Sequence, residues 1–338
     1  MYTNPVKILQ VDLVSSCNAF CPSCYRQDSS GHLQGHFPQN KHLDLKLFAK
    51  ALADRSLALL EEVFFCGNYG DPMASPHLPE VIDLIRSHHP QACIYMHTNG
   101  GLGKKETWVE LGRRLNGRGN FVKFAIDGLE DTNHIYRRKV SWKRVMENAR
   151  TFIDAGGRAV WKFVIFGHNK HQVEEARRLS QELGFARFET TPNYAPEQEP
   201  YLTVQERGSA AFAPEPREMV SDRLSREELE AVHIRCDAKE EHSLFLDFVG
   251  SLWPCCWIGG WKYSSNSSLR ERHGEYFKQW AAEDTNFNSL GSHSLEEILS
   301  HPWFESGLQA SWKKPLVLGT SPGATHALCI EKCGGCRG

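Results

Sequence analysis

Cys17, Cys21 and Cys24 stand in one short run, Ser16-Cys17-Asn18-Ala19-Phe20-Cys21-Pro22-Ser23-Cys24-Tyr25. Their spacing lets three thiols converge on one soft metal centre, and thiolates suit iron–sulfur clusters and zinc alike. A structural zinc or an electron-carrying cluster takes four protein ligands, whereas three cysteines on a four-iron cluster leave one iron open to an outside ligand. An open iron implies chemistry there. A second set lies toward the other end of the chain, where Cys236 and Cys255 with Cys333 and Cys336 make four thiolates in two close pairs. That is the composition of a closed tetrahedral zinc site or a fully ligated cluster, and spacing does not choose between them. Cys256 and Cys329 are left over, with Cys329 able to replace one of the four. Cys66 and Cys93 fall within strand patterns and read as small buried hydrophobes.

These residues need elements to position them. Val6 to Val14 alternates like a strand and delivers the chain into the first cysteine run. After a polar loop from Ser29 to Asn40, Leu43 to Leu60 has helical spacing. Glu62 to Cys66 is a strand running into Gly67-Asn68-Tyr69-Gly70-Asp71-Pro72. Pro76 to His88 reads as a helix, and Ala92 to Met96 as a strand ending in His97-Thr98-Asn99-Gly100-Gly101. Lys104 to Leu115 is a helix, and Phe121 to Ile126 a strand closed by Asp127-Gly128. Trp142 to Ala155, Ala159 to Phe166, Asn169 to Leu183 and Phe185 to Glu189 continue the alternation as helix, strand, helix and strand. Six strand-then-helix units argue for a parallel α/β sheet, either doubly wound or curving toward a barrel, with the active site at the strand C-termini. Every polar motif above falls there.

The cysteine run resembles the cluster-binding motif of the radical S-adenosylmethionine (radical SAM) enzymes. The resemblance covers Val6 to Thr190 as a whole-domain pattern and implies a partial (β/α)6 TIM-type barrel with a small C-terminal cysteine-rich domain. It implies that Cys17, Cys21 and Cys24 hold a 4Fe-4S cluster whose open iron binds the methionyl amine and carboxylate of S-adenosylmethionine. One electron then cleaves the cofactor to methionine and a 5′-deoxyadenosyl radical that abstracts hydrogen from substrate. Gly67 to Pro72 resembles the family's glycine-rich segment, so Gly67, Asn68, Gly70 and Asp71 are expected at the cofactor; glycine also lets backbone approach a ligand closely. A plain turn with a capping Asp71 is the bland reading. Thr98 and Asn99 occupy a strand end where family members often place cofactor-contacting groups. Asp127 is expected at the ribose or the substrate, or else in an ordinary Asp-Gly turn. In place of the aromatic residue that many members carry before the third cysteine, this chain has Ser23, with Tyr25 following, so adenine packing is expected to differ.

Residues 191–235 change character: Pro192, Pro196, Pro200, Pro214 and Pro216 punctuate a polar stretch, and Ser225 to Val232 reads as a short acidic helix. This divides the chain into a barrel over 1–190, a linker or flap, and a cysteine-rich domain over 236–338. The order of a cysteine, Gly250-x4-Cys255, a long gap and Cys333-x2-Cys336 resembles the twitch domain, a shortened SPASM domain. That implies one auxiliary 4Fe-4S cluster on Cys236, Cys255, Cys333 and Cys336. The aromatic stretch around Trp257, Trp261, Tyr263, Tyr276, Phe277, Trp280, Trp303 and Phe304 reads as packing for this domain, or as a peptide groove.

A net charge of −2 over 338 residues gives no electrostatic footprint for nucleic acid. No run of about 18 apolar residues offers a membrane span. With no secretory leader pattern, the eleven cysteines are expected in a reducing cytoplasm, on metals rather than in disulfides. The resemblance implies an external electron donor such as flavodoxin or ferredoxin. It favours modification of a ribosomally made peptide by crosslinking, epimerisation or backbone excision, with a separate leader-binding protein. A small-molecule dehydrogenase or rearrangement enzyme is the alternative within the family, and a non-catalytic zinc or iron–sulfur scaffold the alternative outside it.

Overall fold

The computed structural model describes residues 5–22, 24–27, 32–117, 119–192, 225–264, 267–313, 316 and 325–336. Ser23, the polar loop at 29–31 and the expected linker or flap over 193–224 lie outside the described residues, as does the side chain of Cys336. The strands are β1 Ile8–Val11, β2 Glu62–Phe65, β3 Cys93–Thr98, β4 Phe121–Ala125, β5 Ala159–Ile165, β6 Arg187–Pro192, β7 Val232–Ile234, β8 Ser243–Leu246, β9 Leu252–Trp253 and β10 Gly334–Cys336. The helices used below are α1 Leu45–Leu52, α2 Leu78–His88, α3 Lys105–Arg114, α4 Asn133–Tyr136, α5 Trp142–Asp154, α6 Val173–Glu182, α7 Arg226–Ala231, α8 Asp237–Glu240, α9 Cys256–Gly259, α10 Ser267–Trp280, α11 Leu295–Ser300 and α12 Ala327–Cys333. The single helix expected over Leu43 to Leu60 is broken after α1, because the Asp54 carboxylate accepts the Ser56 amide at 2.9 Å and starts a separate 3-10 turn, Arg55–Leu57.

The chain forms two compact units. The first comprises the described parts of Asp12–His42 and Glu62–Glu215. Its strands run parallel in the order β6-β5-β4-β3-β2. Because side chains alternate across a strand, the register separates two faces. Val63, Phe65, Ile94, Met96, Val122, Phe124, Trp161 and Phe163 are wholly withdrawn from water on one. Phe124 there meets Trp108 of α3 at 5.2 Å and Phe152 of α5 at 6.1 Å between ring centroids. Burial of each large apolar side chain contributes about 1.5–3 kcal/mol. The other face carries the half-buried Phe64, Tyr95, His97, Lys123, Lys162 and Glu189, a set whose charged members no core would select.

The second unit comprises the described parts of Met1–Val11, Leu43–Glu61 and Pro216–Gly338. In this unit β1 pairs in parallel with β8, from Ile8 opposite Ser243 to Val11 opposite Leu246. β8 continues into an antiparallel hairpin with β9, and β10 pairs antiparallel with β7. The aromatic stretch fills the inside of this unit. Tyr263, Tyr276, Phe277, Trp303 and Phe304 are buried, and Phe277 meets Trp253 at 5.4 Å and Trp303 at 5.0 Å, edge to face. The groove reading of these five therefore gives way to the packing one, while Trp257 is 45% exposed. Among the described residues no helix is long and apolar enough to cross a membrane.

The β8–β9 hairpin turns on Asp247, which is fully buried. One carboxylate oxygen accepts the amides of Val249 and Ser251 at 3.1 and 2.9 Å. The other accepts Trp253 Nε1 at 3.0 Å and pairs with Lys262 Nζ at 2.9 Å. Replacing Asp247 with Ala leaves these donors and a largely buried ammonium without their acceptor. We expect Asp247→Ala to lose about 3–5 kcal/mol of stability, read from the urea midpoint at constant slope, with Asp247→Asn recovering part of it through its retained amide oxygen.

Candidate functional site

Asp12 follows β1 in the chain and opens the cysteine loop. Its carboxylate accepts the Asn68 amide at 2.9 Å, Ser15 N donates to Lys41 O at 3.0 Å, and Asp71 N donates to Ser16 O at 2.8 Å. Beyond Cys17 the loop is held by Phe20 N to Arg138 O at 3.0 Å and by two tight turns, Cys24 N to Cys21 O at 3.1 Å and Gln27 N to Cys24 O at 2.9 Å. Burial pushes all three thiols up, Cys21 to about 11, and the fields of Asp71 and Cys21 add to the effect at Cys17. Such thiols are neutral until a metal displaces their protons. Hydrogen-bond donors are already aimed at the sulfurs. Ala19 N and Asn99 Nδ2 lie 3.3 and 3.4 Å from Cys17 Sγ, and Arg137 Nη1 lies 3.7 Å from Cys21 Sγ. Donors of this kind suit an anionic iron–sulfur centre, whose potential they help set.

The glycine-rich turn and the end of β3 meet on Asp71. Its buried carboxylate accepts Met73 N at 3.0 Å, Thr98 Oγ1 at 2.9 and 3.1 Å, and Asn99 N at 2.8 Å. Burial pushes this carboxyl up, while those donors pull it down. Asp71, Thr98 and Asn99 thus tie the glycine-rich turn to the end of β3. Asn99 also gives Nδ2 to Asn18 Oδ1 at 2.9 Å. Gly67 has a φ of +68°, and a Cβ there would lie 3.2 and 3.3 Å from the carbonyl oxygens of Gly70 and His97. A Cβ on Gly70 would lie 2.2 Å from Val14 O, so backbone packing demands that glycine before any ligand does. Among the described residues the buried Asn68 Nδ2 has no hydrogen-bond partner. Tyr25 is 47% exposed.

Asp127 is fully buried. One oxygen accepts Val164 N at 2.7 Å and the other pairs with Arg137 Nε at 2.6 Å. The carboxylate therefore holds Arg137 against Cys21. Nothing in the sequence marks Arg137 for this, since it follows α4 with no periodic or motif spacing to the cysteines. His97, on the half-buried face, was equally unmarked. Burial and the charges of Lys162, Lys123 and Arg137 push its imidazole down to about 3.

In the second unit, four cysteines line one small cavity. Cys236 and Cys255 occupy the residues before α8 and α9, and Cys329 and Cys333 lie one turn apart on α12. Leu308, Trp312 and Ile258 close the walls. Burial pushes Cys329 up to about 12 and also raises Cys255; Cys333 is raised first by its hydrogen bond with Cys236. Cys236, Cys255 and Cys333 are thus brought together, with Cys329 beside them, while α12 ends at Cys333 and the chain continues through Cys336 as β10. Cys66 is buried and Cys93 half-buried. Among the described residues no group of three or more His, Cys, Asp or Glu side chains is arranged around a single ion position. A four-iron cluster binds one cysteine per iron, so its ligands surround a group and not a point.

The sequence family described as the radical SAM superfamily matches residues 12–182. No curated protein matches the chain. Among solved structures, SuiB of Streptococcus suis bound to the precursor peptide SuiA is similar at 15% identity and a TM-score of 0.54, over 78% of this chain and 63% of that one. Native anSMEcpe with bound AdoMet and a peptide is similar at 13% identity and a TM-score of 0.53, over 90% of this chain and 83% of that one. The likeness is one of fold, an α/β chain with a mostly parallel sheet of the partial-barrel kind and a C-terminal cysteine-bearing region. The chain spans less than two thirds of the length of SuiB.

The lowered His97 makes a pH prediction. In the unfolded chain an imidazole titrates near about 6.5, whereas His97 in the folded protein holds out to about 3. Between these values the unfolded state binds the extra proton, so His97 contributes nothing above the upper value and costs stability as pH falls below it. We expect the acid limb of the stability curve from pH about 6 to 4 to be shallower by about 1 kcal/mol per pH unit in His97→Gln than in wild type, measured by urea unfolding at each pH.

Proposed function

Because this chain belongs to the radical SAM superfamily, we propose that Cys17, Cys21 and Cys24 hold the cofactor-binding 4Fe-4S cluster of an enzyme that modifies a peptide. The observation that carries the reading is the convergence of Asn99 and Arg137 on the sulfurs of this one loop. When bound, the reduced cluster and S-adenosylmethionine supply the one-electron cleavage from which hydrogen abstraction follows. The chain's own residues do the positioning. Asp127 orients Arg137, Asp71 locks the glycine-rich turn to the end of β3, and Gly67 keeps that turn free of side chain. The orphaned Asn68 amide offers a donor to the methionyl carboxylate.

The peptide reading draws its support from the fold likeness to SuiB, solved with a precursor peptide, and to anSMEcpe, solved with a peptide. An auxiliary 4Fe-4S cluster on Cys236, Cys255, Cys333 and Cys329 completes it, with Cys329 in the place first given to Cys336; their shared cavity supports this. The electron enters from a partner. A surface groove of about 1080 Å³ between α3 and α5 carries six Lys and Arg side chains, among them Lys105, Lys143 and Arg150, against Glu147 and Asp154. It suits an acidic redox protein such as flavodoxin or ferredoxin.

Anaerobically reconstituted protein should hold about eight irons. The triple variant Cys17→Ala, Cys21→Ala, Cys24→Ala should lose about half of them and all 5′-deoxyadenosine production; retained production would refute the assignment. Where a short peptide is encoded beside its gene, coexpression should yield a mass change on that peptide with wild type and none with the triple variant. In the second unit, Cys329→Ala should also lose about four irons, while Cys336→Ala retains them. A wild type holding stoichiometric zinc with about four irons would make that site a structural staple instead.

A further inference from the structure

The half-buried face of the first unit carries a charge that its own side chains do not answer. In the ladder, His97 stands beside Lys123, and Lys162 stands between Ala125 and Glu189, all on the face opposite the apolar core. Lys123 pairs with Glu189 at 2.8 Å, Arg187 reaches the same carboxylate at 3.4 Å, and Arg137 pairs with Asp127 at 2.6 Å. Among the described residues the Lys162 ammonium has no ion pair or side-chain hydrogen bond, and the carboxylates of Asp127 and Glu189, each already paired with another cation, act on it only through their fields. Burial and the charges of Lys123 and Arg137 push its ammonium down. A cation withdrawn from water without an acceptor is costly, and such groups gather where a ligand supplies the missing charge.

We propose that Lys162 on β5, with the imidazole of His97 on β3 two strands away on the same face, binds a carboxylate of the substrate on the inner face of β3 to β5. The charge count selects the class. Lys123 and Arg137 each have a carboxylate, Arg187 is half exposed to solvent, and one ammonium is left over, which matches a monoanion better than a dianionic phosphate. His97 adds one N–H donor without a second full charge. Phe64, edge-on to His97 at 4.6 Å, and Tyr95, stacked on Phe121 at 4.0 Å, give apolar walls to the same face. For a peptide substrate this means an acidic side chain or a C-terminal carboxylate close to the carbon that reacts. The inference rests on the radical SAM reading for its statement that substrate occupies this face.

The test uses anaerobically reconstituted wild type, Lys162→Met and Lys162→Arg, with trifluoroacetate as the carboxylate probe followed by 19F NMR. Wild type and Lys162→Arg should bind the probe saturably, and Lys162→Met should bind it about tenfold more weakly or worse. Inorganic phosphate should compete more weakly than acetate. Reduction of the cluster in wild type should broaden the line of the bound probe, a readout that does not depend on the fold of any variant. Equal binding by Lys162→Met, tighter competition by phosphate, or no broadening on reduction overturns the proposal. So does a parallel fall in S-adenosylmethionine affinity in Lys162→Met, which would assign the ammonium to the cofactor's own carboxylate. Production of 5′-deoxyadenosine by the wild type, measured on the same sample, judges the catalytic reading separately from the anion site.

Discussion

The carboxylate of Asp71 is the point at which three separate stretches of chain are made to agree. It accepts donors from Met73, Thr98 and Asn99, and the amide of the same residue donates to Ser16 in the cysteine loop. Burying a carboxylate is expensive unless its oxygens are satisfied, so the arrangement tolerates little slack. If β3 ends one residue out of place, Asn99 no longer meets Cys17, and the sulfur loses a donor that comes from 82 residues away in sequence. Asp127 does for Arg137 and Cys21 what Asp71 does for Asn99 and Cys17. Both acids hold in place a residue that reaches a sulfur.

The second unit uses the same logic with different means. Asp247 gathers two turn amides, an indole and an ammonium, and so fixes the hairpin from which the chain runs to Cys255. A helix supplies the rest, because residues four apart on α12 lie on one face, and this brings Cys329 and Cys333 to the cavity that Cys236 and Cys255 also line. Around it, Ile258, Leu308, Trp312 and Leu328 supply largely apolar walls. That dryness is reflected in the raised thiols, which remain protonated unless a metal takes the proton's place.

The parallel sheet of the first unit divides labour between its faces. One is a dry layer of Phe, Trp, Val and Met that supplies stability. The other carries Lys123, Lys162, His97 and Glu189 at half burial, with Lys123 paired to Glu189. Burial, with the charges of Lys162, Lys123 and Arg137, pushes the His97 imidazole down, and burial with the charges of Lys123 and Arg137 does the same to the Lys162 ammonium, against the pull of Asp127 and Glu189.

Short-range pattern alone determined much of this protein. The spacing of Cys17, Cys21 and Cys24, the alternation of strand and helix from Val6 onward, and the polar motifs at strand ends are local features, and local features are written in neighbouring residues. Family and fold follow from them. What lies outside that range was decided by register and packing. Nothing adjacent to Arg137 says that it will meet Cys21, and the Cys-x2-Cys spacing at the end of the chain points to Cys336, while a helical turn brings Cys329 to the other thiols. The roles of Asp71 and Asp127 depend on donors contributed by other strands, and the isolation of Lys162 depends on Glu189 being taken by Lys123. Likewise the backbone groups of β1 pair with β8, Ile8 standing opposite Ser243, more than 230 residues further along the chain. Each of these contacts joins residues far apart in sequence, so each exists only once the sheet has assembled and set who stands beside whom.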